Sequence, residues 1–178
     1  MDPDGDGAVP KRLLFIHGAG GFVEDGPLAA ALAAGVDAEL VMPEFSDDDM
    51  SVAGWTAPIL ELLGTLERGD LVVAHSFGAN MLLHALAAPG APAVPTALLL
   101  GMPDWGPEGW QSADYATPEP EPAAAITLAH CRDDDVVPFE HLALNAARLP
   151  SARVVEFDAG GHQFEGLAAP LVAEFGAP

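Results

Sequence analysis

The chain of 178 residues contains one cysteine, Cys131, one tyrosine, and 6 Lys and Arg together against 27 Asp and Glu. A lone cysteine rules out an internal disulfide and suits a reducing, cytoplasmic compartment. The scarcity of positive charge leaves a formal net charge of -21, a field that repels nucleic acid, anionic membranes and polyanionic substrates. Long apolar runs are missing too. The stretches "TALLLGM" and "LVVAHSF" fall far short of the roughly 20 residues a spanning helix requires, and the first residues lack the basic-then-apolar pattern of a secretion signal. Neither an anchor nor a leader is therefore expected, and no internal repeat is present.

Half of the residues are apolar, enough for one sizeable core. Residues 1–10, "MDPDGDGAVP", are polar and turn-rich and read as a flexible tail; residues 11–178 read as a single domain. From Lys11 onward, short apolar runs ("RLLFIH", "AELVM", "LVVAH", "TALLLG", "AITLAHC", "RVVEF") alternate with helical segments near Pro27–Ala34, Val52–Leu66, Phe77–Ala87, Phe139–Ala147 and Phe164–Phe175. Continuous apolar runs mark strands buried on both faces, and strand–helix alternation implies parallel pairing through right-handed crossovers. The expected fold class is α/β, three layers. Met102–Ala124 breaks the rhythm with five prolines, two tryptophans and a tyrosine, a connection long enough to suggest function.

In an open parallel sheet, ligands bind beyond the carboxyl ends of the strands. Four post-strand loops draw attention: "HGAGGF", "AHSFGA", "CRDDDVVP" and "AGGHQF". In the second, Ser76 precedes a helix and has Ala74 and Gly78 two positions to either side, close to the Gly-x-Ser-x-Gly pattern of a nucleophile on a sharp strand-to-helix turn. A helix-capping serine is the competing reading. A serine nucleophile needs a base to take its proton and a carboxylate to hold that base. His162, after two glycines, has the best setting of the six histidines, and "DDD" offers Asp133, Asp134 and Asp135. His75 reads as structural, as do His84, His130 and His141. "HGAGGF" fails as a dinucleotide loop, because Val23 stands where the third glycine is needed. Consecutive groups in "HCRDDD" point in different directions and predict no metal site.

The order Ser…Asp…His, with these loops in a chain this short, resembles the α/β-hydrolase superfamily, and in particular the small cap-less serine hydrolases of the retinoblastoma-binding-protein type. The resemblance covers the chain from Lys11 to its end. It implies a minimal core of about six mostly parallel strands in the order 2-1-3-4-5-6, with helices on both faces. It places the acid four residues before Pro138, at Asp134, with Asp133 next. It makes the backbone N–H groups of Phe77 and Ala19 the oxyanion donors, with Gly20 the alternative to Ala19. His17 would brace its loop.

These readings lead to a serine hydrolase that cleaves small esters or related acyl compounds through an acyl-enzyme. Its catalytic residues would be Ser76, Asp134 and His162. Trp105, Trp110, Tyr115 and Gly20 would border the substrate pocket. No cofactor or metal is expected, nor any nucleic-acid or membrane partner; the chain would act as a monomer or small homo-oligomer. The second reading is a binding or regulatory protein that keeps the fold with little turnover.

Overall fold

A computed structural model describes residues 11–175; the predicted tail at residues 1–10 lies outside the described residues. Six strands, β1 (Arg12–Ile16), β2 (Glu39–Val41), β3 (Leu71–His75), β4 (Thr96–Leu100), β5 (Ala125–Cys131) and β6 (Arg153–Phe157), pair in the order β2-β1-β3-β4-β5-β6, all parallel. Five helices separate or follow them: α1 (Gly26–Gly35), α2 (Val52–Leu63), α3 (Ser76–Ala87), α4 (Glu140–Arg148) and α5 (Ala168–Glu174). This is the strand order and layering of the α/β-hydrolase fold.

The period-2 geometry of a strand sends alternate side chains to opposite faces. Leu14, Ile16, Val72, Ala74, Leu99 and Leu128 enter one core cluster with Trp55 and Ile59 of α2, Leu82 of α3 and Leu142 of α4. Leu13, Phe15, Val73, Leu98, Leu100 and Cys131 enter the other, with Leu28 and Leu32 of α1 and Leu171 of α5. Both faces are thus apolar along the central strands, while the edge strand β6 leaves Val154 43% exposed. All six parallel strands end on the same side, so the loops after β1, β3, β4, β5 and β6 converge there.

Two expected helices are shorter than predicted. The chain leaves α2 at Gly64, before Leu66. The last helix begins at Ala168 and not at Phe164, because Phe164 (φ +52°) and Gly166 (φ +75°) adopt left-handed backbone that a right-handed helix cannot include. Met102–Ala124 holds one short 3-10 turn, Ala113–Tyr115.

Candidate active site

At the end of β3 the backbone runs extended through His75 and turns abruptly at Ser76, which has φ +52°. A residue with a Cβ is strained there by roughly 1–2 kcal/mol, so the surroundings must impose it. They do: a Cβ on Gly78 would overlap the His17 carbonyl oxygen and lie 2.8 Å from that of Ile16, and one on Gly18 would lie 3.1 Å from Ser76 Cβ. The start of α3 is pressed against the end of β1. The N-cap of α3 is His75, which makes no capping bond, so Ser76 is not a helix cap. Ala74 packs into the core.

His162 stands on the loop after β6, between Gly161 (φ +61°) and the turn at Phe164. Its Nδ1 is 2.8 Å from Asp134 Oδ2. Asp134 Oδ1 accepts the N–H groups of Val136 (2.9 Å) and Val137 (2.8 Å), and His130 Nε2 approaches Oδ2 at 3.2 Å. Burial pushes the Asp134 carboxyl up, but the bonds from His130, His162 and the Val137 N–H outweigh it and hold the group well below the usual carboxylate range. The structure sorts the three consecutive aspartates. Asp134 meets His162. Asp133 accepts N–H bonds from Gly160 (3.2 Å) and Gly161 (2.8 Å) and so fixes the loop that carries His162. Asp135 is exposed at the rim.

In the loop after β1, His17 Nε2 accepts the Phe45 N–H at 2.8 Å, which leaves the proton on Nδ1 to bond the Gly18 carbonyl at 2.7 Å. The ring is boxed by Phe22, Phe45 and Trp55. The Gly18 N–H goes to Asp25 (2.8 Å) and that of Gly20 to Asp47 (2.9 Å). Between them, the Ala19 N–H has no partner among the described residues. Gly20 departs from expectation: with φ +62° and its N–H bonded to Asp47, it is not among the residues that line the cleft, whereas Gly18, Ala19 and Gly21 are.

Ser76, Phe77, Ala19 and His162 share one open cleft of about 920 Å³. Its far wall is the Met102–Ala124 connection. Trp105 packs against Trp110 (5.1 Å between centroids) and Tyr115 (4.9 Å), and Phe77 meets Tyr115 edge-on at 5.1 Å. The connection is pinned at several points. Tyr115 donates to the Met50 carbonyl, Asn145 to that of Met102 and Asn80 to that of Pro103, while buried Asp104 pairs with Arg148 at 2.6 Å. It is therefore both packed against α3 and α4 and a wall of the cleft.

The cleft rim carries Glu24, Asp133, Asp135 and Glu165, and no lysine or arginine lines it. Arg132, the one cation in the four loops, pairs with Glu156 and lies over the Phe139 ring at 4.6 Å. Cys131 is fully buried; burial first, then the charges of Asp133 and Asp134, push its thiol up to about 12. Among the described residues no group of three His, Cys, Asp or Glu side chains is placed to hold a metal ion, and no helix is long and apolar enough to cross a membrane.

Of three neighbours of the site, Asp25 went unread in the sequence, and His75 and His130 were read as structural without their partners. His130 supports Asp134, and His75 and Asp25 lie beneath the loops of His162 and Gly18. For His130, the spacing of four to Asp134 across a strand end was the available signal. Asp25 and His75 are 50 positions apart, with no local pattern to connect them.

A model of a family described as serine hydrolase matches residues 33–165. No curated protein sequence matches the chain. Among solved structures, the ydeN gene product from B. subtilis aligns with TM-score 0.71 at 19% identity, covering 93% of this chain and 98% of its own. Alpha/beta hydrolase domain-containing protein 10 from mouse aligns with TM-score 0.68 at 16% identity over 94% and 89%. A methylesterase from Arabidopsis aligns with TM-score 0.69 at 14% identity over 93% and 97%. At these identities the structural likeness is one of fold.

Proposed function

The chain belongs to the serine hydrolase family, and from that premise we propose that it cleaves small carboxylic esters through an acyl-enzyme on Ser76. One observation carries the reading. A serine held at φ +52° on a strand-to-helix turn lines the same cleft as a histidine whose Nδ1 is bonded to a buried aspartate.

In this reading Ser76 Oγ attacks the acyl carbon while His162 Nε2 takes the hydroxyl proton. The carbonyl oxygen becomes an oxyanion between the N–H groups of Phe77 and Ala19. Phe77 lies in the first turn of α3, where N–H groups have no partner within the helix. Asp134 keeps Nδ1 protonated and stabilises the imidazolium. His162 returns the proton to the departing alcohol. Water then attacks the acyl-enzyme, giving its proton to His162, which passes it to Ser76 Oγ as the C–Oγ bond breaks, so the carboxylic acid is released and free Ser76 is regenerated.

The cleft bears on the substrate class. An open site with an aromatic wall and, among the described residues, no cap over it favours short acyl groups. A rim of four carboxylates with no lysine or arginine disfavours anionic substrates such as phosphate-bearing thioesters. The test is a panel of p-nitrophenyl esters graded by acyl length and charge, run with the wild type and Ser76→Ala. Turnover of short uncharged acyl esters, weaker turnover of carboxylate-bearing ones and none in Ser76→Ala is the expected result. Equal rates for the two proteins would refute the mechanism, and no turnover across the panel would favour the binding-protein reading.

A further inference from the structure

Asp25 occupies the N-cap position of α1, where a carboxylate normally accepts helix N–H bonds, yet it makes no capping bond. It turns inward and is 1% exposed, with Oδ1 unpartnered. Its Oδ2 accepts the Gly18 N–H at 2.8 Å and lies 2.9 Å from His75 Nδ1. His75 is also 1% exposed, and its Nε2 is 2.8 Å from the carbonyl oxygen of His162, 87 positions away. A carbonyl only accepts, so Nε2 donates; one further hydrogen then lies between Nδ1 and Oδ2. The His75 and His162 rings sit 4.5 Å apart between centroids.

Resting on the hydrolase reading above, we infer that Asp25 and His75 are positioning residues: one buried pair that ties the oxyanion loop at Gly18 to the backbone of the base, His162. Stability is a weak reason for such a pair. A buried ion pair is often no better for folding than apolar residues of the same volume, and this one leaves a carboxylate oxygen without a partner. What the pair does achieve is geometric. His162 is held by Asp134 at its side chain and by Asp133 through the preceding glycines. The bond from His75 is the tether at its own carbonyl, and it comes from the residue adjacent to Ser76. The groups that must stay in register during attack are thereby referred to one another and not only to the sheet.

Asparagine and glutamine at position 75 separate positioning from folding. The amide nitrogen of asparagine reaches about as far as Nδ1 and retains a donor toward Asp25. That of glutamine reaches about as far as Nε2 and retains the donor toward His162. Kinetics on a short ester and the rate of fluorophosphonate capture by Ser76, with thermal unfolding as control, compare the two. His75→Asn should lose about tenfold more in kcat and in capture rate than His75→Gln, with KM unchanged within about twofold, because a displacement well under 1 Å at a reacting group costs rate and not binding. Asp25→Asn, which keeps the volume, should also lower kcat without raising KM. Equal losses at position 75, losses that follow the unfolding midpoint, or an unaltered kcat in Asp25→Asn would overturn the inference. If neither position-75 variant folds, Asp25→Asn alone decides. A wild type that takes no fluorophosphonate on Ser76 would instead bring down the hydrolase reading on which the inference rests.

Discussion

Burial alone raises the pKa of a carboxyl, yet Asp134 is held well below its ordinary 3.8 by two histidines and the turn N–H groups around it. In the mechanism proposed above it is consequently ionised when His162 accepts the Ser76 proton. Asp134→Asn keeps the shape but can present its NH2 to Nδ1 and reverse the tautomer, so kcat should fall on the order of 10³–10⁴-fold in ester assays. The same residue predicts a pH dependence. A folded-state pKa below the unfolded one contributes stability that is complete above the unfolded value and lost as pH falls through the folded one. The midpoint difference between wild type and Asp134→Asn, measured by thermal unfolding, should therefore be largest near neutrality and shrink progressively below about pH 4; a gap that widens in acid would contradict this. At this scale Ser76 and His162 were singled out in the sequence by their order and their post-strand positions, whereas the choice of Asp134 within "DDD" came from the resemblance to α/β hydrolases. Asp25 was not read at all, and His75 and His130 were read only as structural, since the partners that define what they hold are brought near only by the fold.

Among the elements, the start of α3 carries the most constraint. Gly78 is required because a side chain there would enter the His17 carbonyl, and Gly18 gives way to Ser76 from the other side. Substituting Gly78→Ala forces β1 and α3 apart, and such overpacking typically costs 1–3 kcal/mol. Denaturant unfolding should show a lowered midpoint together with reduced activity, and an unchanged midpoint would mean that the two elements are not in close contact. The strands were legible because their apolar runs are continuous, and α3 because its apolar period begins directly after one. The last helix was placed four residues early: Phe164 looks apolar and periodic, but left-handed backbone at Phe164 and Gly166 makes this stretch a turn that presents His162. The Met102–Ala124 connection was recognisable as unusual. That it is pinned through Asp104–Arg148 and Tyr115–Met50 depends on contacts distant in sequence.

Across the whole molecule, one parallel sheet brings Ser76 after β3, His162 after β6 and the Ala19 N–H, unpartnered among the described residues, after β1 to a single cleft, with Asp134 after β5 bonded to His162 behind it, and the cleft rim is acidic like the chain as a whole. The layering follows from alternation of apolar strands and helices, whereas the strand order was expected only through the resemblance to α/β hydrolases; of the pocket wall, Trp105, Trp110 and Tyr115 were readable as a proline-interrupted aromatic stretch, but not the contacts that pin it. If this cleft makes Ser76 a covalent nucleophile, as proposed, treatment of the native protein with a fluorophosphonate followed by intact mass and peptide mapping decides it. One adduct per chain, located on Ser76, should form in the wild type and be absent from both Ser76→Ala and heat-unfolded protein. An adduct on another residue, or none on the native protein, would contradict it.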